Sequence, residues 1–247
     1  MKQEKLDELH RNLLMAMDDI AWRMPEEIYL HHWDAGPANR KYTLATFEDA
    51  FKSLELFCEG MKISAITQCG MILRLLLEQT AIAKTLTQHQ ELLNEYVHHY
   101  KFRIIVNDLS INKRNDEIRK EFAFDEKVCS PLQFLDYGWL GNGIEKEKNK
   151  EDSLIIRAGL GDILAWKKRL FDKFSHQSFN STSTLNPAIG STMIYPYIDI
   201  AAKLADELCC AFHSLTNFDF VWDGESKFQD IFRPRYKKFI DFKKSTN

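Results

Sequence analysis

Apolar residues recur along the chain at three-, four- and seven-residue spacings, the periodicity of amphipathic α-helices. The first such stretch, 2–24, is expected to be interrupted at Pro25, because proline lacks the N–H that a helix interior needs, with a short further turn of helix over 26–33. A loop is expected at 31–42, and the charged run 145–152 reads as a second, solvated loop. Further helices are predicted from an N-cap at Thr46 to a C-cap at Gly60, over 88–109, over 153–175, and over 186–215 with a kink at Pro196.

The most apolar stretch is 62–84, where only Arg74 and Glu78 carry charge between the flanking lysines. A helix that is apolar on nearly every side is normally buried among other helices. Its length would also allow a membrane span, but two charges near the centre would each cost roughly 2.5–3.5 kcal/mol on insertion. We therefore predict a buried central helix of a soluble protein, with Arg74 and Glu78 paired four residues apart and both charges enclosed in its dry interior.

The composition agrees with a helical protein. The 247 residues are 45% apolar and 28% charged, with only 10 glycines and 6 prolines, which disfavours the many turns of an all-β fold. We expect one all-α domain spanning 1–247, a bundle of about eight or nine helices around 62–84. Its core would cover about 45–215, with the helix 2–24 and the segment 217–247 packed on that core.

Charge and cysteine usage narrow the setting. The net charge of −3 offers no overall basic surface, so any nucleic-acid contact must come from a local patch. The five cysteines have no CxxC spacing and are expected to be buried thiols of a reducing cytosol. The charged start MKQEKLDELH lacks the apolar core of a signal peptide. These features predict a cytoplasmic protein without a membrane segment.

Three groupings contain metal-binding residue types. They are His31-His32 with Asp34, the Glu95-x-x-His98 pattern on one helix, and Asp206, Cys210 and His213 on another. A carboxylate-bridged di-iron site needs Glu-x-x-His on two helices and a glutamate from each of two more, and no second copy occurs. We therefore expect no metal and no cofactor.

Arg169 and His176 form the pair best suited to chemistry. If a helix persists that far, a separation of seven residues makes two turns, so both side chains project on one side. In metal-independent RNA cleavage the ribose 2′-hydroxyl attacks the adjacent phosphorus. A histidine then moves the proton, while an arginine stabilises the developing negative charge. The alternative is structural, with His176 capping the helix and Arg169 solvated.

Three stretches together resemble a bacterial family of all-helical proteins similar in layout to the HEPN superfamily. They are ILRLLLEQTAIAKTL (72–86), ELLNEYVHHY (91–100) and KKRLFDKFSHQSFNS (167–181). The family pattern is Arg-x-x-x-Glu on a long apolar helix followed by a distal Ser-His segment, which here matches Arg74, Glu78, Ser175 and His176. The resemblance implies RNA-cleaving toxins or abortive-infection proteins acting against phage, with dimers bringing two histidines to a shared cleft.

The sequence thus supports two functions. The first is a HEPN-like RNA-directed nuclease with Arg169 and His176 as catalytic residues and Arg74, Glu78 and Ser175 as a supporting polar centre. Its partners would be RNA and a second copy or another protein. The second is a catalytically inactive helical module that binds a protein or small ligand, favoured by the acidity and by Leu170, since the resemblance implies a polar residue there.

Overall fold

The computed structural model describes residues 2–38, 40–108, 138–140, 150–166, 187–217, 221–222 and 226–246. Within these ranges the architecture is helical, which confirms the expected all-α class. The helices are α1 (Lys2–Glu27), α2 (Arg40–Lys62), α3 (Ile66–Gln88), α4 (Leu93–Asp108), α5 (Lys150–Arg157), α6 (Gly161–Trp166), α7 (Pro187–Thr216) and α8 (Phe228–Thr246). A two-residue antiparallel ladder joins β1 (Val221–Trp222) to β2 (Ser226–Lys227), with Val221 opposite Lys227.

Helix α1 does not stop at Pro25, so the expected interruption there is wrong. The helix continues to Glu27 and passes into a π-helical turn, Ile28–His32. Proline removes one hydrogen bond from a helix, but Met24 and Ile28 on either side of it are buried in the core. Their burial offsets the lost hydrogen bond. The expected loop 31–42 is correspondingly shorter, because α2 already begins at Arg40.

Thr46 is not the N-cap of α2, because it lies inside the helix. Its Oγ1 donates to the Thr43 carbonyl at 2.6 Å, so the hydroxyl is satisfied without capping anything. The first turn forms further upstream, where the Arg40 N–H donates to the Pro37 carbonyl at 2.9 Å. A threonine followed by acidic residues can therefore stand either at the N-cap or inside a helix. Which of the two occurs depends on how much of the helix is buried.

The end of α2 is also later than expected, since Gly60 is helical and the cap is at Ser64. Ser64 has a φ of 59°, the left-handed conformation of a helix C-cap. The Ala65 N–H donates to the Gly60 carbonyl at 2.8 Å, and the Ser64 N–H donates to the Met61 carbonyl at 3.2 Å. This pair of hydrogen bonds is a Schellman motif, which turns the chain from α2 directly into α3.

Helix α3 packs against α2, α5 and α7, yet it is not sealed as the stretch 62–84 was expected to be. It spans Ile66–Gln88, and Leu73, Leu76, Leu77 and Ala81 on its inner side are fully buried. On the other side Leu75 is 46% exposed, and the neighbouring Arg74 and Glu78 are only half-buried. The expectation of two ions enclosed in a dry interior is therefore wrong.

The predicted helix 153–175 is broken where the structure describes it. Helix α5 ends in a second Schellman motif, in which the Leu160 N–H donates to the Ile155 carbonyl at 2.9 Å. Gly159 adopts a φ of +73°, which favours glycine, and α6 then starts at Gly161. Two closely spaced glycines thus divide the stretch in two. Residues 167–175 of the predicted helix lie outside the described residues.

The last two long helices complete the body. Helix α7 spans Pro187–Thr216 with Pro196 inside it, close to the predicted 186–215. It packs against α3, α1 and α2, while α8 packs on α1 and α7. None of the helices that the structure describes combines the length and apolar character of a membrane span.

Candidate functional site

A cavity of about 310 Å³ opens between α6, α7 and α8. One wall is apolar and is formed by Pro196 and Ile200 of α7 with Phe239 and Ile240 of α8. Positions 196, 200 and 203 lie on one side of α7, because residues three and four apart share a helix face. The volume is at the lower end of what small-molecule sites occupy. The cavity is thus large enough for a small ligand.

Two lysine–aspartate pairs form the polar edge of the cavity. Lys203 of α7 donates to the Asp162 carboxylate of α6, and Lys243 of α8 donates to the Asp199 carboxylate of α7. Each pair joins two different helices, so the pairs hold the cavity walls together. They also present charges of both signs at the opening, because all four side chains are partly exposed.

His10 of α1 lies behind Asp199 and is 2% exposed. Its Nε2 is 2.9 Å from the Asp199 Oδ1, and its Nδ1 is 2.9 Å from the Leu6 carbonyl oxygen. The ring also packs edge-on to Phe239, with ring centroids 4.9 Å apart. Asp199 therefore links α1, α7 and α8 through its contacts with a buried ring and with a lysine.

Tyr236 of α8 adds a hydroxyl to the same cavity. The pKa of Tyr236 is raised to about 12, chiefly by burial and in smaller part by the nearby carboxylates of Asp206, Asp199, Glu207 and Asp162. The hydroxyl therefore keeps its proton at neutral pH. A protonated phenol can both donate and accept a hydrogen bond, which suits it to binding a polar group.

A more deeply buried ion pair lies between α3 and α7. Lys84 donates to the Glu207 carboxylate, with 10% of the lysine side chain and 29% of the glutamate side chain exposed. A Cβ built on Gly159 would lie 4.0 Å from Lys84 Nζ, so the turn between α5 and α6 lies beside the ammonium. The Lys84 ammonium is thus better sheltered than the ammonium groups of Lys203 and Lys243 in the other two pairs.

The predicted catalytic residues Arg169 and His176, and the supporting Ser175, lie outside the described residues. Of the supporting polar centre, Arg74 and Glu78 are described, and both lie on the half-buried side of α3. The structure brings these two together on one helix face, at the four-residue spacing that the sequence gives. Whether that face adjoins Arg169 and His176 stays a prediction.

The described residues contain no group of three or more His, Cys, Asp or Glu side chains that could hold a metal ion. Glu95 of the Glu-x-x-His pattern is exposed, while Asp206 and Cys210 are each half-buried. A carboxylate-bridged di-iron site would need ligands from four helices, whereas each of the three groupings lies on a single stretch of sequence.

None of the residues that line the cavity was predicted from the sequence. The sequence nevertheless contains signals for two of them, Asp199 and Lys203, and for the adjacent His10. Asp199 and Lys203 stand four apart on an otherwise apolar stretch of α7, the spacing of side chains on one helix face. His10 follows Leu6 by four and precedes Leu13 by three, so it belongs to the inward face of α1. No local signal marks Asp162 or Lys243, because their contacts come from other helices.

Comparison of the chain with protein-family models, with curated proteins and with solved structures finds no match. The functional assignment therefore depends on the residues themselves.

Proposed function

We propose that the protein is a HEPN-like RNA-directed nuclease or toxin that acts in phage defence without a catalytic metal. The support is the Arg169–His176 spacing, together with an all-helical body in which Arg74 and Glu78 remain accessible on α3. A sealed ion pair could only serve the fold, whereas a partly exposed arginine and glutamate can take part in a site. The accessible position of Arg74 and Glu78 is the observation that carries the proposal.

In the proposed reaction the ribose 2′-hydroxyl attacks the adjacent phosphorus and the bond to the 5′-oxygen of the next nucleotide breaks. The products are a 2′,3′-cyclic phosphate and a free 5′-hydroxyl. His176 transfers the proton, and Arg169 stabilises the negative charge on the phosphoryl oxygens. The supporting residues Ser175, Arg74 and Glu78 orient these two side chains.

The test is incubation of the purified chain with a single-stranded RNA in excess EDTA. We expect cleavage that leaves cyclic phosphate ends and that a 2′-deoxy substitution at the cut site abolishes. Arg169→Ala and His176→Ala should each lower the rate by about 100-fold or more, the size of effect typical of a lost proton-transfer group or charge-stabilising donor.

Two matched controls separate catalysis from general charge. Lys168→Ala removes a cation next to Arg169 in the sequence. His31→Ala removes a histidine that is distant from His176 in the sequence and whose side chain is 61% exposed. Both variants should cleave at the wild-type rate. Cleavage that needs a divalent ion, or that survives both Arg169→Ala and His176→Ala in folded protein, would refute the nuclease proposal.

The cavity between α6, α7 and α8 favours a second candidate, a catalytically inactive module that binds a small ligand. Its apolar wall and its edge of both charges suit an amphiphilic molecule with an apolar body and polar groups at one end. Tyr236 also lines the cavity.

An anilinonaphthalene sulfonate titration followed by fluorescence tests the second candidate. This probe has an apolar body and one charged group. It should bind the wild type at a single site, and Ile240→Trp, which fills the cavity, should abolish that binding. Ile156→Trp, at a position 55% exposed on α5, serves as the control and should bind as the wild type does. Equal binding by the two variants would exclude the cavity as the site.

A further inference from the structure

Helix α8 presents basic side chains to the solvent. It carries six basic and two acidic residues, in a chain whose formal net charge is −3. Lys237, Lys238 and Lys244 are exposed, and Lys244 follows Lys237 by seven residues, so these two lie on one side of the helix. Within the described part of the chain none of the three pairs with a carboxylate, whereas Lys243 beside them pairs with Asp199. The three ammonium groups are therefore available to an anionic partner.

The apolar side of α8 is already used within the protein. Phe239 is buried, and Tyr236, Ile240 and Phe242 are half-buried where α8 packs on α1 and α7. Over residues 234–245 no large apolar side chain is exposed. A helix that lies on a membrane inserts a free apolar face into the lipid as well as attracting anionic headgroups. This part of α8 has no such face to insert, so a partner that binds by charge, such as a phosphodiester backbone, fits it better.

From the exposed charge and the packing we infer that Lys237, Lys238 and Lys244, the basic face of α8, bind the phosphodiester backbone of single-stranded RNA. That the polyanion is RNA rests on the proposed nuclease function, whereas the attraction to a polyanion rests on the lysines themselves. Contacts from lysine to phosphate carry no sequence information. The basic face therefore holds RNA of any sequence, and the nuclease site determines which bond is cut.

Asp241 opposes this binding. It is exposed between Lys237 and Lys244, four residues after the first and three before the second, so it shares their side of the helix. Its carboxylate repels phosphate groups. Replacing Asp241 with a basic residue should therefore tighten binding, a change that unfolding of the variant cannot produce.

Fluorescence anisotropy of the full chain with a labelled 2′-O-methyl oligoribonucleotide tests the proposal. This strand lacks the attacking hydroxyl, so it stays intact even if the protein is an active nuclease. Lys237→Gln/Lys238→Gln/Lys244→Gln should bind about tenfold or more weakly at about 0.1 M salt. Its plot of log affinity against log salt should be shallower by about 2, because each lost phosphate contact removes about 0.7 for a single strand.

The matched control is Lys41→Gln/Lys52→Gln/Lys62→Gln, which removes the same charge from lysines that already pair with carboxylates. Its affinity should stay within about twofold of the wild type. Asp241→Lys should bind about fivefold or more tightly, because it exchanges a repelling charge for an additional phosphate contact. Circular dichroism of each variant establishes that it is folded.

Three results would overturn the proposal. They are equal binding by the two triple variants, unchanged or weaker binding by Asp241→Lys, and binding of the wild type to phosphatidylserine vesicles but not to the oligonucleotide. The last result would assign the basic face to a membrane surface.

The nuclease proposal fails separately, because its test is cleavage. Binding that depends on the three lysines, without cleavage of unmodified RNA in EDTA, would refute the nuclease and support the basic face. Cleavage of RNA together with equal binding by the two triple variants would do the reverse.

Discussion

Helices α2 and α3 meet through apolar side chains and sulfurs, whereas α1, α7 and α8 meet around His10, Asp199 and Lys243. In the first interface Phe51 and Phe57 are fully buried, and the Cys69 thiol donates to the Phe57 carbonyl at 3.7 Å. In the second, a buried imidazole and an exposed ammonium share one carboxylate. The α2–α3 interface is therefore stabilised by burial of apolar surface, whereas the polar contacts between α1, α7 and α8 extend to the solvent.

The two interfaces also differ in how closely the backbones approach. A Cβ on Gly60 would lie 2.8 Å from the Cys69 sulfur, so α2 and α3 are in contact without room for one methyl group. Burial also raises the pKa of Cys69 to about 11, so this thiol remains protonated at neutral pH. By contrast, the junction of α7 and α8 leaves a cavity of about 310 Å³. The first interface serves stability, and the second has space for a function.

The largest expected effect is from Phe51→Ala in the apolar interface. We expect the free energy of unfolding to fall by about 3–5 kcal/mol, because the change removes buried surface and leaves a cavity. Urea denaturation followed by circular dichroism measures it. Leu56→Ala on the same helix is the control, and since Leu56 is 59% exposed its effect should stay within about 0.5 kcal/mol. Equal losses in the two variants would contradict the packing described for α2.

A smaller effect is expected from Gly60→Ala, which tests the close approach itself. The added methyl group should lower the free energy of unfolding by about 1–3 kcal/mol, although alanine favours a helix more than glycine does. Combining it with Cys69→Ala removes the sulfur that the methyl group meets, so the double variant should lose less than the sum of the single changes. Additive losses in the same denaturation assay would show that the sulfur is not the obstacle.

The smallest effect is expected at the polar junction. Asp199→Asn keeps the shape but removes the charge that His10 and Lys243 share, and should cost about 1–2 kcal/mol of unfolding free energy. The loss should shrink in the Lys243→Ala background, since one of the two contacts is then already gone. A loss as large as that of Phe51→Ala would mean that this junction is as dry as the apolar interface.

Helix periodicity predicted most of the elements, including the long helix with Pro196 inside it. It failed where tertiary burial decided the outcome. Pro25 is accommodated because Met24 and Ile28 pack on both sides, and Thr46 satisfies its hydroxyl inside the helix. Neither fact is visible in a window of neighbouring residues. Gly159 and Gly161 are a local signal of the break between α5 and α6, whereas the apolar spacing alone predicts a continuous helix.

The polar sites were harder to predict, because ionic contacts form between distant parts of the chain. Lys84 pairs with Glu207 over a separation of 123 residues, and His10 reaches Asp199 over 189. The sequence shows only short spacings, so it favoured Arg74 with Glu78, four residues apart. Arg74 and Glu78 lie on one helix as expected, but on a side of α3 that is partly exposed. Composition along the stretch could not reveal which of its sides other helices would cover.

The enclosed ammonium of Lys84 has a practical consequence. Acylating reagents attack the unprotonated amine of a lysine that they can reach, whereas this ammonium is engaged by Glu207 beside the Gly159 turn. Lys41 also pairs with a carboxylate, that of Asp34 at 2.6 Å, but 39% of its side chain is exposed to solvent. The extent of acylation at Lys84, read by mass spectrometry, therefore serves as an internal gauge of whether α3 and α7 have separated.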